Sequence, residues 1–188
     1  MRIISGEARG RRLFAPQGMN TRPTADRVRE SVFNILGRRV VGARVLDLFA
    51  GSGALALEAV SRGAEHAVLV DQDRSAAAVI EKNIALMRCA DRTMVLNMDW
   101  RRALGKLDGR GFSLVFMDPP YKMEESYGQA ACALGERQML EPDAVLIMEH
   151  SRSLSLQGRL GRGFEIFDTR VYGDSAVSFA RQTEEETE

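Results

Sequence analysis

The sequence predicts an α/β protein, built on an open and mostly parallel sheet with helices on its faces and an antiparallel edge. Three observations predict it. Short runs rich in Val, Leu, Ile, Phe and Met alternate with helical stretches, the pattern of strands joined by right-handed crossovers. Several runs are apolar almost throughout, as strands buried on both faces are. The alternation stops near the C-terminus, where strand-like residues 165–172 and 175–181 are separated only by Gly173-Asp174, a hairpin signal.

The elements follow in order. Residues 1–41 read as a basic N-terminal extension, 42–181 as the sheet domain and 182–188 as an acidic, disordered tail. In the extension, Arg2–Ser5 and Arg11–Ala15 predict two short strands around a turn at residues 6–10. Pro16, Gly18 and Pro23 mark a loop. Val28, Val32, Ile35 and Leu36 share one stripe at helical spacing, so a helix is expected from Thr24, closed by Gly42. Strands are then expected at 43–49, 66–71, 93–98, 112–118 and 144–150. Helices are expected between them near 54–61, 74–87, 100–107 and 124–139.

The bulk composition narrows the classes. A chain of 188 residues supports one well-buried domain, and 45% hydrophobic with 28% charged residues is ordinary for a globular protein. No apolar run approaches the roughly 20 residues that span a bilayer, and the N-terminus shows no signal-peptide apolar region. Cys89 and Cys132 have neither metal-ligand nor redox-pair spacing, so reduced thiols, a cytoplasmic location and no metal are expected. The net charge of zero hides an asymmetry: residues 1–39 carry +6, residues 182–188 carry −4, and the rest is near neutral. A basic arm on a neutral body suits a polyanionic partner. Solvated arginines would produce the same count.

Chemistry enters at three stretches. The first is Asp47-Leu48-Phe49-Ala50-Gly51-Ser52-Gly53, an acid ending a strand and a glycine loop opening a helix. Its glycines let the backbone approach a ligand closely. Gly51-x-Gly53-x-x-Ala56 also fits a dinucleotide fingerprint. Asp47 favours a methyl donor instead, since a carboxylate there repels a pyrophosphate but suits the ammonium of a methionine moiety. The second stretch ends a strand at Asp71-Gln72-Asp73. Asp71 can accept ribose hydroxyls of either ligand, and Asp73 can cap the next helix. After the third strand, Asp99 can meet an adenine amino group or cap a helix, and Trp100 can pack near that adenine or in the core.

The third stretch is Asp118-Pro119-Pro120-Tyr121, directly after the fourth strand. An exocyclic amine on a base is a poor nucleophile, because its lone pair is conjugated into the ring. Asp118 and the Pro119 carbonyl can accept its two N–H bonds and draw the nitrogen towards a tetrahedral form. The prolines orient that carbonyl and offer no competing N–H. Tyr121 offers a flat surface on which an extruded base can stack. His66 and His150 read as structural residues, and the methionines as core filling.

With these motifs in view the chain resembles the bacterial 16S rRNA guanine-N2 methyltransferases of the RsmD type. The resemblance runs through Arg2-Ile3-Ile4-Ser5-Gly6, Arg9-Gly10-Arg11-Arg12-Leu13, Thr21-Arg22-Pro23-Thr24 with Asp26 to Glu30, the glycine loop, Asp118 to Tyr121 and Tyr172-Gly173-Asp174-Ser175. It implies a Rossmann-like, seven-stranded S-adenosylmethionine-dependent methyltransferase fold with a small N-terminal hairpin and helix. It further implies methylation of N2 of a guanine in 16S rRNA, guanine 966 being the family's target. The partner would be a 30S subunit or an assembly intermediate. A monomer is expected because no helix shows a second apolar stripe, and no metal because of the cysteine spacing. Under this resemblance the loop from Phe49 to Gly53, with Asp47, holds the donor. Asp71 and Gln72 hold its ribose, Asp99 and Trp100 its adenine, and Asp118 to Tyr121 the target base. Arg9, Arg11, Arg12, Thr21, Arg22, Arg27 and Arg29 would grip RNA. Three rivals stand beside this reading: an adenine-N6 methyltransferase of DNA or another RNA, a nicotinamide-dependent oxidoreductase, and a catalytically silent RNA-binding module.

Overall fold

The computed structural model describes residues 1–16 and 23–183, apart from the side chains of residues 23–25 and 121. Seven strands form one sheet: β1 (Arg44–Asp47), β2 (His66–Val70), β3 (Thr93–Leu96), β4 (Phe112–Met117), β5 (Leu140–Ser151), β6 (Phe164–Tyr172) and β7 (Ser175–Gln182). Their spatial order is β3-β2-β1-β4-β5-β7-β6. The first five are parallel, and β7 runs antiparallel to both β5 and β6. The hairpin expected at Gly173-Asp174 therefore inserts its second strand beside β5 and leaves β6 at the edge.

Five helices cover the sheet: α1 (Pro23–Leu36), α2 (Ala54–Ser61), α3 (Arg74–Met87), α4 (Trp100–Lys106) and α5 (Ser126–Glu136). Buried residues of α1, α2 and α3 form a core with Val45, Phe116, Ile147 and Val177 on one face. Buried residues of α4 and α5 form a second core with Leu46, Met117 and Met148 on the other. No described helix is long and apolar enough to cross a membrane.

Three expectations need correction. The two N-terminal strands reduce to one antiparallel bridge between Arg2 and Arg12. The two arms still bond to each other, Ile3 donating to the Arg11 carbonyl, Gly10 to Ile3 and Leu13 to Met1, but other backbone groups bond to the core: Ile4 and Ser5 donate to Glu58, Glu7 to the Ser61 carbonyl and Phe14 to Asn83. Gly6 makes this docking possible, since at φ +84° a Cβ would lie 1.8 Å from the Ser61 carbonyl oxygen. The buried stripe of α1 also differs, because Phe33 and Arg29 face inward with Val28, Val32 and Leu36 while Ile35 is exposed. Finally, the helix expected near 124–139 is present but shorter, α5 covering Ser126–Glu136. Tyr121–Met123 make a 3₁₀ turn before α5, and β5 starts at Leu140.

Candidate active site

In an open parallel sheet, ligands bind beyond the carboxyl ends of the strands, where the strand order reverses. That point lies here between β1 and β4. Side chains alternate along a strand, so register decides what meets there. Asp47 pairs with Phe116, Phe116 with Ile147, and Glu149 with Val177. Asp47, Asp118 and Glu149 therefore fall on the same face, each ending an apolar file.

The glycine loop is folded by the strands around it. Ala50 N–H donates to the Val70 carbonyl at 2.9 Å, and Gly51 N–H donates to Asp71 Oδ2 at 2.8 Å. Gly53, at φ +77°, leads into α2, and a Cβ there would sit 2.9 Å from Leu69 Cδ2. Asp71 Oδ1 accepts the Asp73 N–H at 2.9 Å, and Asp73 caps α3 through Ser75. Each Asp71 oxygen keeps a lone pair for a further donor.

Two clefts open at this end of the sheet. One is lined by Asp71, Gln72, Met98, Trp100, Pro120 and Met123. The other is lined by Asp47, Ala50, Ser52, Glu149 and Val177, with Met1, Asp26 and Arg29 from the N-terminal side. Phe49, Gly51 and Asp118 line both. In the first cleft Phe49 and Trp100 are tilted neighbours, with ring centroids 6.4 Å apart. The buried Trp100 Nε1 has no partner among the described residues.

The electrostatics are one-sided. Asp47 is buried, and that burial pushes its carboxyl up to about 7, assisted by the charge of Asp71 and opposed by hydrogen bonds from the Phe49 and Ala56 backbones. Asp118 opens into the cleft but is surrounded by protein elsewhere. Burial raises its pKa, and the neighbouring Glu149 and Asp47 raise it further. Burial raises that of Glu149 too. Among the described residues none of the three forms an ion pair, and no cluster suited to a metal ion occurs.

Other expected residues fall differently. Asp99 lines neither cleft and caps α4, its Oδ1 accepting the Arg101 N–H at 2.9 Å. Pro119 is buried behind Asp118, and the side chain of Tyr121, with Thr21 and Arg22, lies outside the described residues. Arg9, Arg11, Arg12 and Arg27 are exposed, and Arg11 donates to the Leu86 carbonyl. Arg29 departs from its expected surface role. It is 4% exposed, ion-paired with Asp26 at 3.1 Å and 3.8 Å from Glu58, and it donates to the Arg2 carbonyl. Sequence reasoning missed Glu149, although its apolar run ends in an acid just as those of Asp47 and Asp118 do. It also missed Glu58, the single charge in the apolar helix α2.

A family model described as "Conserved hypothetical protein 95" matches residues 1–181. The chain belongs to this family. The family's match spans the N-terminal segment and the sheet together, as the RsmD-type resemblance in the sequence does. "Putative rRNA methyltransferase YlbH" of Bacillus subtilis is 43% identical over 186 residues, 97% of this chain and 99% of that protein. "Ribosomal RNA small subunit methyltransferase D" of Escherichia coli is 44% identical over 122 residues, 65% of this chain and 61% of that protein. The solved structure "Putative methyltransferase yhhF" from Escherichia coli aligns with a TM-score of 0.83 at 33% identity, covering 97% of each chain. The fold is that of the S-adenosylmethionine-dependent methyltransferases.

Proposed function

We propose that the chain methylates the exocyclic N2 amine of a guanine in 16S rRNA of the small ribosomal subunit, using S-adenosylmethionine. The observation that carries this reading is the position of Asp118, at the join of the two clefts and at the head of Asp118-Pro119-Pro120-Tyr121. The first cleft suits the nucleoside of a donor, and the second offers Asp47 to the donor's ammonium and Asp118 to a base. The names of the relatives supply the RNA.

The cleft residues fit the donor. Asp47 is a buried carboxylate with no described cation, the partner that an ammonium group would provide. Asp71 offers lone pairs to ribose hydroxyls, beside Gln72. Phe49 and Trp100 give aromatic walls, and the Trp100 indole N–H, without a partner among the described residues, can donate to the donor molecule. The donor supplies an electrophilic methyl group.

The chain's own residues prepare the nucleophile. Asp118 and the Pro119 carbonyl accept the two N–H bonds of the amine and aim its lone pair across the join. Holding the base there converts an encounter into a positioned displacement, and positioning provides much of the rate. The proton can leave after attack, so no strong base is required. Met1, Asp26, Val28, Arg29 and Val32 line the second cleft from the N-terminal side. The exposed arginines of that side, Arg9, Arg11, Arg12 and Arg27, face RNA.

The test uses tritiated S-adenosylmethionine with 30S particles lacking the modification, comparing wild type with Asp118→Asn. Label on guanine N2, falling about 10²- to 10⁴-fold in the variant while binding of S-adenosylhomocysteine persists, supports the assignment. Label on adenine N6, or on DNA alone, would replace it with the adenine reading.

A further inference from the structure

Of the three acids at the strand ends, Glu149 has no task in the chemistry described so far. It pairs in register with Val177, one step past the Met117–Met148 pair, which sets it beside Asp118 on the same face. Both carboxyls line the second cleft, to which α1 contributes Asp26, Val28, Arg29 and Val32. Its backbone is held, since the Tyr127 hydroxyl donates to the Glu149 carbonyl. Its carboxylate takes no hydrogen bond or ion pair from any described residue. A part-buried carboxylate without a partner is costly unless a ligand supplies donors.

We propose that Glu149 reads the N1–H of the target guanine while Asp118 holds its N2 amine, so that the pair selects guanine by its Watson–Crick edge. This rests on the guanine reading above. Guanine presents N1–H and the N2 amine side by side, both donors, which two adjacent carboxyls match. A purine with a bare N1 places a lone pair against Glu149 and is repelled. Burial raises the pKa of both acids, and the charge of Glu149 raises that of Asp118 further, which fits two neighbouring carboxyls that form no ion pair among the described residues.

The experiment uses 30S particles rebuilt from rRNA carrying either guanine or 2,6-diaminopurine at the methylated position. Diaminopurine keeps the N2 amine but has an acceptor at N1. Wild type is expected to favour guanine in kcat/KM by about a hundredfold, the order set by leaving a buried polar group without its partner. Glu149→Gln, whose amide can donate to a bare N1, is expected to cut that preference at least about tenfold, with S-adenosylhomocysteine affinity and Tm near wild type. Glu149→Asp keeps the charge but draws it back, and is expected to slow transfer while retaining the preference. An equal loss on both bases in Glu149→Gln would overturn the proposal and leave the guanine reading intact. A wild type that labels no guanine would overturn both.

Discussion

The Glu58 carboxylate, fully buried in α2, accepts the Ile4 N–H at 2.8 Å and, through its other oxygen, the Ser5 N–H at 3.0 Å. Arg62 Nε lies 2.7 Å away and Arg29 Nε 3.8 Å. One acid in an apolar helix thus joins the N-terminal segment, α1 and α2. Removing one member of a buried charge set leaves the others uncompensated. Glu58→Ala is expected to cost about 3–5 kcal/mol, read as a lower urea midpoint, with faster amide exchange across residues 3–14. An unchanged midpoint would show that apolar contacts alone hold the segment.

Asp47 makes stability depend on pH. Its folded pKa, near 7, lies above the ordinary value of 3.8, because burial disfavours the charge. The folded chain therefore holds a proton that the unfolded chain has released, and stability falls as pH rises from about 4 to about 7. Asp118 and Glu149 act in the same direction. Between pH 5 and 8 the Tm of the ligand-free protein is expected to fall, and Asp47→Asn to flatten that fall. Affinity for S-adenosylhomocysteine, measured by calorimetry, is expected to rise over the same interval, because the ammonium needs the carboxylate. A Tm that holds level in wild type would contradict the burial argument.

The arginines of the N-terminal region divide by exposure. Arg9, Arg12 and Arg27 are exposed and form no ion pair among the described residues, whereas Arg29 is enclosed. Arg9→Ala, Arg12→Ala and Arg27→Ala are each expected to weaken binding to a small-subunit rRNA transcript and to lower the salt slope by about 1, with Tm nearly unchanged. Arg29→Ala is expected to lower Tm instead. Salt titrations by fluorescence anisotropy, beside thermal melts, separate the two classes. A salt slope untouched by all three exposed replacements would place the RNA surface elsewhere.

Arg29 shows where reading the residues one by one stops. Arg27 and Arg29 have the same chemistry and lie two positions apart, which on a helix turns them to opposite sides. The spacing of Arg29 with Val32, Phe33 and Leu36 was legible as a stripe, but a stripe centred on Val28 and Ile35 was equally so. Packing against α2 chose between them, because Glu58 offered the buried partner that a guanidinium requires. Asp99 offers a similar lesson. A cap and a ligand contact need the same residue at the same place, and the turn of α4 shows the cap.

The sequence by itself determined the alternation of strands and helices, the glycine loop and the acid–proline–proline stretch, because these depend on local periodicity and on residues a few positions apart. The strand order, the docking of residues 1–14 and the meeting of Asp47, Asp118 and Glu149 were decided only by the tertiary structure. Those acids are separated by 71 and 31 positions of chain. What unites them is the register of three parallel strands, which packing of the sheet's two faces sets and no local pattern encodes.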